Sequence, residues 1–87
     1  MTKKQLGTIT ILIKDRQMNS GKMNKLLTDS GHIIMARLGV NIEPLCVEHC
    51  TGLIAVAVKA SAQEINDLAK KLNKLYGIVA KANIMTK

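Results

Sequence analysis

Cys46, His49 and Cys50 form the one cluster of side chains in this sequence with a ready coordination chemistry, three donors within Cys46-Val47-Glu48-His49-Cys50. Thiolate and imidazole are ligands that zinc, nickel or copper accept. The three donors meet one transition-metal ion only if the chain turns between them, and a fourth ligand would come from His32, from Glu48 or from a second subunit. The spacing matches no zinc-finger pattern, and the sequence has no second cysteine pair. The plainer expectation is a pair of reduced thiols in a long loop. A Cys46–Cys50 disulfide is disfavoured in a reducing compartment.

Four further residues have the chemistry to hold a small ligand. Asp15, Arg16 and Asn19 fall where an Ile-rich strand gives way to a helix, a place where backbone N–H groups point outward. By analogy of fold, the Asp15–Asn19 turn is where an amino-acid-type effector would sit. Arg37 interrupts an apolar strand, where it would bind an anion or pair with Glu43 or Glu48. His32 has no partner nucleophile, and no other pair of residues suggests acid–base or nucleophilic work. The sequence therefore predicts a non-enzymatic protein.

These residues are positioned by a regular succession of elements. Thr8, Thr10 and Leu12 alternate with Ile9, Ile11 and Ile13, which predicts a strand over Leu6–Lys14 with one strongly apolar face. Asp15 is a side-chain cap for the helix that follows, with Ser20 as an alternative start. Met23, Leu26, Leu27 and Ser30 share a face, Gly21 weakens the helix by about 1 kcal/mol relative to Ala, and Gly31 stops it. A strand over His32–Leu38 ends at Gly39, and the connection Val40–Cys50 carries the single proline, Pro44. A third strand begins at Thr51 or Leu53 and reaches Lys59. Ser61 and Glu64 then have the spacing of a capping box. Ile65, Leu68, Ala69, Leu72 and Leu75 repeat at helical spacing, Gly77 closes the helix, and Ile78–Met85 is a fourth strand.

The order strand, helix, strand, strand, helix, strand describes a ferredoxin-like α+β sandwich, a four-stranded antiparallel sheet with two helices on one face. The 87 residues suffice for one domain with one aliphatic core, since the sequence has one tyrosine and no tryptophan or phenylalanine. An antiparallel sheet covered on one side should alternate apolar and polar residues. Here Ile33-Ile34-Met35-Ala36 and Leu53-Ile54-Ala55-Val56-Ala57-Val58 run without alternation. Both faces of the sheet are then apolar, and a second copy of the chain is the expected cover, giving a homodimer or tetramer through the open sheet face.

Thirteen Lys and Arg against six Asp and Glu give a formal charge of +7. Only two of these cations are arginines, and the lysines are scattered, as in a solvated coat. Nucleic-acid recognition on this fold uses aromatic residues on the sheet, and the single aromatic, Tyr76, falls at a helix end. No direct nucleic-acid binding is expected; if the lysine coat did bind one, its affinity would fall steeply with salt. The first residues lead into a strand without the apolar segment of a signal peptide, and the longest apolar run, Leu53 to Val58, is too short to span a membrane. The expected location is the cytoplasm.

Several runs together resemble one family. They are Asp15-Arg16 after the Ile-rich strand, Met23-Asn24-Lys25-Leu26-Leu27, Ile33-Ile34-Met35-Ala36-Arg37-Leu38-Gly39, Gln63-Glu64-Ile65-Asn66-Asp67-Leu68, and Lys71-Leu72-Asn73-Lys74-Leu75-Tyr76-Gly77-Ile78. In these the chain is similar to the iron-only hydrogenase system regulators, small ACT-like proteins. The resemblance covers nearly the whole chain and implies an ACT-type domain that self-associates and regulates rather than catalyses. The regulatory domain of nickel-responsive repressors is a more distant relative by fold, and it binds metal at a subunit interface. The segment from Gly39 to Leu53 departs from the family pattern by its length, so no metal site of a relative transfers onto Cys46, His49 and Cys50. The sequence reading is a regulatory homo-oligomer that binds a small ligand or a protein partner, with transition-metal binding by the cysteine loop as the alternative.

Overall fold

Ile9, Ile11 and Ile13 lie at 0–1 % exposure along the first strand, β1 (Gln5–Ile13), where period-two alternation places them on one face. The computed structural model describes residues 3–42 and 45–86. The remaining elements are α1 (Arg16–Asp29), a single 3₁₀ turn (Gly31–Ile33), β2 (Ile34–Asn41), β3 (Gly52–Ala60), α2 (Ala62–Asn73) and β4 (Ile78–Ile84). The strands form one sheet in the order β2-β3-β1-β4, and every neighbouring pair is antiparallel. This is the ferredoxin-like α+β arrangement the sequence predicts.

The core lies between the sheet and the helices. Ile9, Ile11, Ile13, Val56 and Val58 meet Met23 and Leu27 of α1 and Ile65, Leu68 and Leu72 of α2. Gly7 crosses closest to β4, where a Cβ would press on the Asn83 carbonyl. Asn73, the last residue of α2, donates to the Ala80 carbonyl at 2.7 Å and accepts from the Ala80 N–H at 2.7 Å. Since β4 is an edge strand, that side chain occupies backbone groups that would otherwise face a new strand.

The capping box of α2 forms as its spacing predicts. The Glu64 N–H donates to Ser61 Oγ at 3.1 Å, and the Ser61 N–H donates to Glu64 Oε1 at 3.2 Å. The bond from the Ser61 backbone, followed by that from its hydroxyl, holds the Glu64 carboxyl below its ordinary value of 4.5. A depressed carboxylate stabilises the fold above its unfolded pKa, and that contribution is lost as pH falls through the lower folded value. Ser61→Ala is expected to cost about 1 kcal/mol at neutral pH and to remove only the hydroxyl's smaller share of the acid-side dependence, since the backbone N–H remains. Urea titrations at several pH values check this; an unchanged midpoint at neutral pH would contradict the cap's role.

Three expectations need correction. Asp15 does not cap α1 through its side chain, because its backbone is left-handed (φ 49°) and makes no such bond. Strand β2 begins after a 3₁₀ turn and continues through Gly39 to Asn41. Gly39 has open space where a Cβ would be, and β2 is an edge strand whose ladder needs only backbone. Third, α2 ends at Asn73, so Leu75 lies beyond the helix and Gly77, at φ 76°, belongs to the turn into β4, whereas α1 ends at Asp29, ahead of Gly31 as the sequence predicts. Among the described residues no helix is long and apolar enough to cross a membrane.

Candidate functional site

The turn between β1 and α1 is organised around two left-handed residues, Asp15 (φ 49°) and His49 (φ 53°), whose side chains meet at 2.8 Å between Oδ2 and Nδ1. Each conformation costs about 1–2 kcal/mol for a non-glycine residue, so the contact helps retain what the backbone resists. The Asp15 carbonyl accepts from the N–H groups of Met18 and Asn19, both at 3.0 Å. The Arg16 N–H, which a helix start leaves unpaired, donates to the Cys50 carbonyl at 2.8 Å. Gln17 completes the attachment: its Oε1 accepts from the Cys50 N–H at 3.2 Å, and its Nε2 donates to the Val47 carbonyl at 3.1 Å and toward Cys50 Sγ at 3.3 Å. The first turn of α1 thus holds the cysteine loop by three consecutive residues.

Within that loop Cys46 and Cys50 are joined as a disulfide, with Cα atoms 5.9 Å apart. This corrects the expectation of free thiols: four residues of separation bring the Cα atoms to a span a disulfide normally bridges. Cys50 is buried and Cys46 half-buried. In this form neither sulfur is a thiolate, so the two cysteines do not fit a metal ion, and coordination by Cys46, His49 and Cys50 belongs to a reduced form. Among the described residues no three of His, Cys, Asp and Glu gather with the geometry to hold a metal. His32 lies beyond the far end of α1, a helix of 14 residues and hence about 21 Å long, so it cannot join the cysteines of its own chain. Glu48 is exposed in the loop.

The four ligand-type residues divide into two pairs. Asp15 and Asn19 line a hollow of about 410 Å³ with Lys14, Tyr76 and Gly77. Their polar groups are engaged there: Asp15 with His49, and Asn19 Nδ2 with the Lys14 carbonyl at 2.6 Å. Gly77 has φ 76°, a conformation that favours glycine, and a Cβ there would displace the Asn19 amide. Arg16 and Arg37 instead share a cleft of about 350 Å³ between α1 and the outer part of the sheet. Arg37 donates to Asn24 Oδ1 at 2.8 Å. Of the carboxylates expected beside it, Glu48 makes no ion pair with it, and Glu43, like Pro44, lies outside the described residues.

Sequence reasoning missed Gln17, Ser20 and Asn24. Nothing local marks Gln17, whose partners are 30 and 33 residues away. Ser20 and Asn24 carried a usable signal, because with Arg16 they repeat every fourth residue and form one polar stripe on α1.

The family model for TM1266-like proteins, described as "Iron-only hydrogenase system regulator, putative", matches residues 5–82. Among solved structures, the uncharacterized protein TM1266 from Thermotoga maritima superposes with a TM-score of 0.84 at 23 % identity, covering 97 % of this chain and 100 % of that one. At that identity the likeness shows a common fold. No curated protein matches the sequence.

Proposed function

We propose that this chain, which belongs to the TM1266-like family of iron-only hydrogenase system regulators, acts without catalysis as a self-associating regulatory module. Two copies pack through the open faces of their sheets. The observation that carries this reading is the composition of that face. By register, its rows run Val40–Leu53–Leu12–Val79, then Leu38–Ala55–Thr10–Lys81, then Ala36–Ala57–Thr8–Asn83. The first row is wholly aliphatic, and in this single chain Leu38, Val40 and Val79 are 64 %, 43 % and 44 % exposed. The middle of the face carries only Ala and Thr, so it is flat and presents little to obstruct a second sheet at the usual ~10 Å separation. A two-fold axis would cover each aliphatic row with the partner's equivalent surface. As a regulator the assembly would respond to a small ligand or a protein partner.

Sedimentation equilibrium at micromolar concentration tests this reading. Dimers or tetramers are expected, with tighter association as salt screens Lys59, Lys81 and the net charge of +7. A monomer at every salt concentration would overturn it.

A further inference from the structure

A helix lying on a sheet normally turns an apolar stripe toward it. Helix α1 buries only Met23 and Leu27 of its 14 residues, and its flank toward β2 is polar: Arg16, Ser20 and Asn24, four residues apart, line the cleft there. The opposite wall is no better packed. On the helix-facing side of β2 the register places Arg37 and Gly39, both exposed, and where a side chain would close the gap the strand has Gly39. Arg37 enters the cleft from the same strand, and among the described residues no Asp or Glu lines it. Among the described residues neither arginine has a carboxylate within ion-pair distance. The polar stripe and the glycine contribute nothing to the core, and the two guanidinium groups together favour an anion.

We infer that this cleft binds a small organic monocarboxylate, its carboxylate held by Arg16 and Arg37 and its short apolar body lying against Ile13, Met23 and Ile54. Guanidinium forks match a carboxylate in plane and spacing. Ser20 and Asn24 offer further hydrogen bonds, and Arg37 is already oriented by Asn24 Oδ1 at 2.8 Å. About 350 Å³ corresponds to the small end of ligand pockets, room for a metabolite of modest size. This inference supplies the effector class of the regulatory reading and rests on that reading for its biological meaning, but binding is measured independently of subunit number.

The test follows ¹⁵N-labelled protein by NMR during titration with 4-methylpentanoate, with its neutral amide 4-methylpentanamide, and with inorganic phosphate. The carboxylate is expected to give saturable shifts at the Arg16 and Arg37 Nε–H groups and at the Gly39 amide. The neutral amide should fail to bind, and phosphate, lacking the apolar body, should bind more weakly. Arg37→Gln removes one charge from an exposed position and is expected to weaken binding about tenfold or more. Gly39→Val leaves both arginines in place and narrows the cleft with a branched side chain, for which a Cβ there has open space, and it should weaken the shifts sharply while keeping the folded spectrum. Three results would each overturn the inference: no saturable shift at the highest soluble carboxylate concentration, equal binding of the neutral amide, or full binding by Gly39→Val. The last would assign the effect to diffuse positive charge. Sedimentation of the same samples is read separately, so failure of the cleft and failure of self-association are distinguishable.

Discussion

Ala55→Arg is expected to leave a folded monomer. Ala55 lies in β3, a central strand, paired with Leu38 on one side and Thr10 on the other, and it is exposed on the face away from the helices. Any face-to-face packing of two sheets must cover it. A two-fold axis would introduce the substitution twice, burying two guanidinium groups with no acid on that face to receive them. An unpaired buried charge costs several kcal/mol, which weakens association by roughly a hundredfold or more. The core is untouched, because Ile54 and Val56 carry the helix-facing side of the strand. Sedimentation velocity together with circular dichroism decides the matter. Sedimentation of Ala55→Arg identical to the parent protein would remove the open face as the contact surface.

The second large effect belongs to the core. Leu72 is fully buried in α2 against the sheet. Leu72→Ala replaces it with the best helix former, so helix propensity does not contribute to the loss. The cavity and lost transfer energy together are expected to cost about 3–4 kcal/mol. For a chain of 87 residues, whose whole stability is on the order of 5–10 kcal/mol, this removes a large share. Thermal and urea unfolding should show it plainly, and under the proposed self-association the midpoint should rise with protein concentration. Leu45→Ala, at a residue 94 % exposed, is the matched control and should change little. A loss below 1 kcal/mol for Leu72→Ala would contradict the assigned packing.

The sequence displayed the sheet and α2 because their signals are local. The alternation through Ile9, Ile11 and Ile13, and the Ser61–Glu64 box ahead of Ile65, Leu68 and Leu72, need no long-range information. The start of α1 was misread for the opposite reason. Asp15 looks like a cap, but its carboxylate serves His49, 34 residues away, and the helix N–H of Arg16 goes to Cys50. Compartment reasoning placed Cys46 and Cys50 as thiols, whereas chain geometry brings their Cα atoms to 5.9 Å. Gly39 read as a strand end because glycine disfavours strands, a preference that matters little in an edge strand with open space beside it.

The site shows the same division. Arg16 and Arg37 stood out as cations in unusual places, but only the fold, which sets the Arg16–Asn24 flank of α1 beside Arg37 of β2, puts them in one cleft and leaves Asp15 and Asn19 in another. The chemistry of single residues was visible in the sequence, and their grouping was not, because grouping depends on which flank of α1 meets which strand.

The most direct test of the regulatory assembly is an isotope-filtered NOE experiment on a mixture of labelled and unlabelled protein. Cross-protomer NOEs among the methyl groups of Leu12, Leu53, Ala55 and Ala57 are the predicted result, since these share the open face by register. NOEs confined to Leu26 and Leu75 on the helical side, or no cross-protomer NOE at all, would contradict the account.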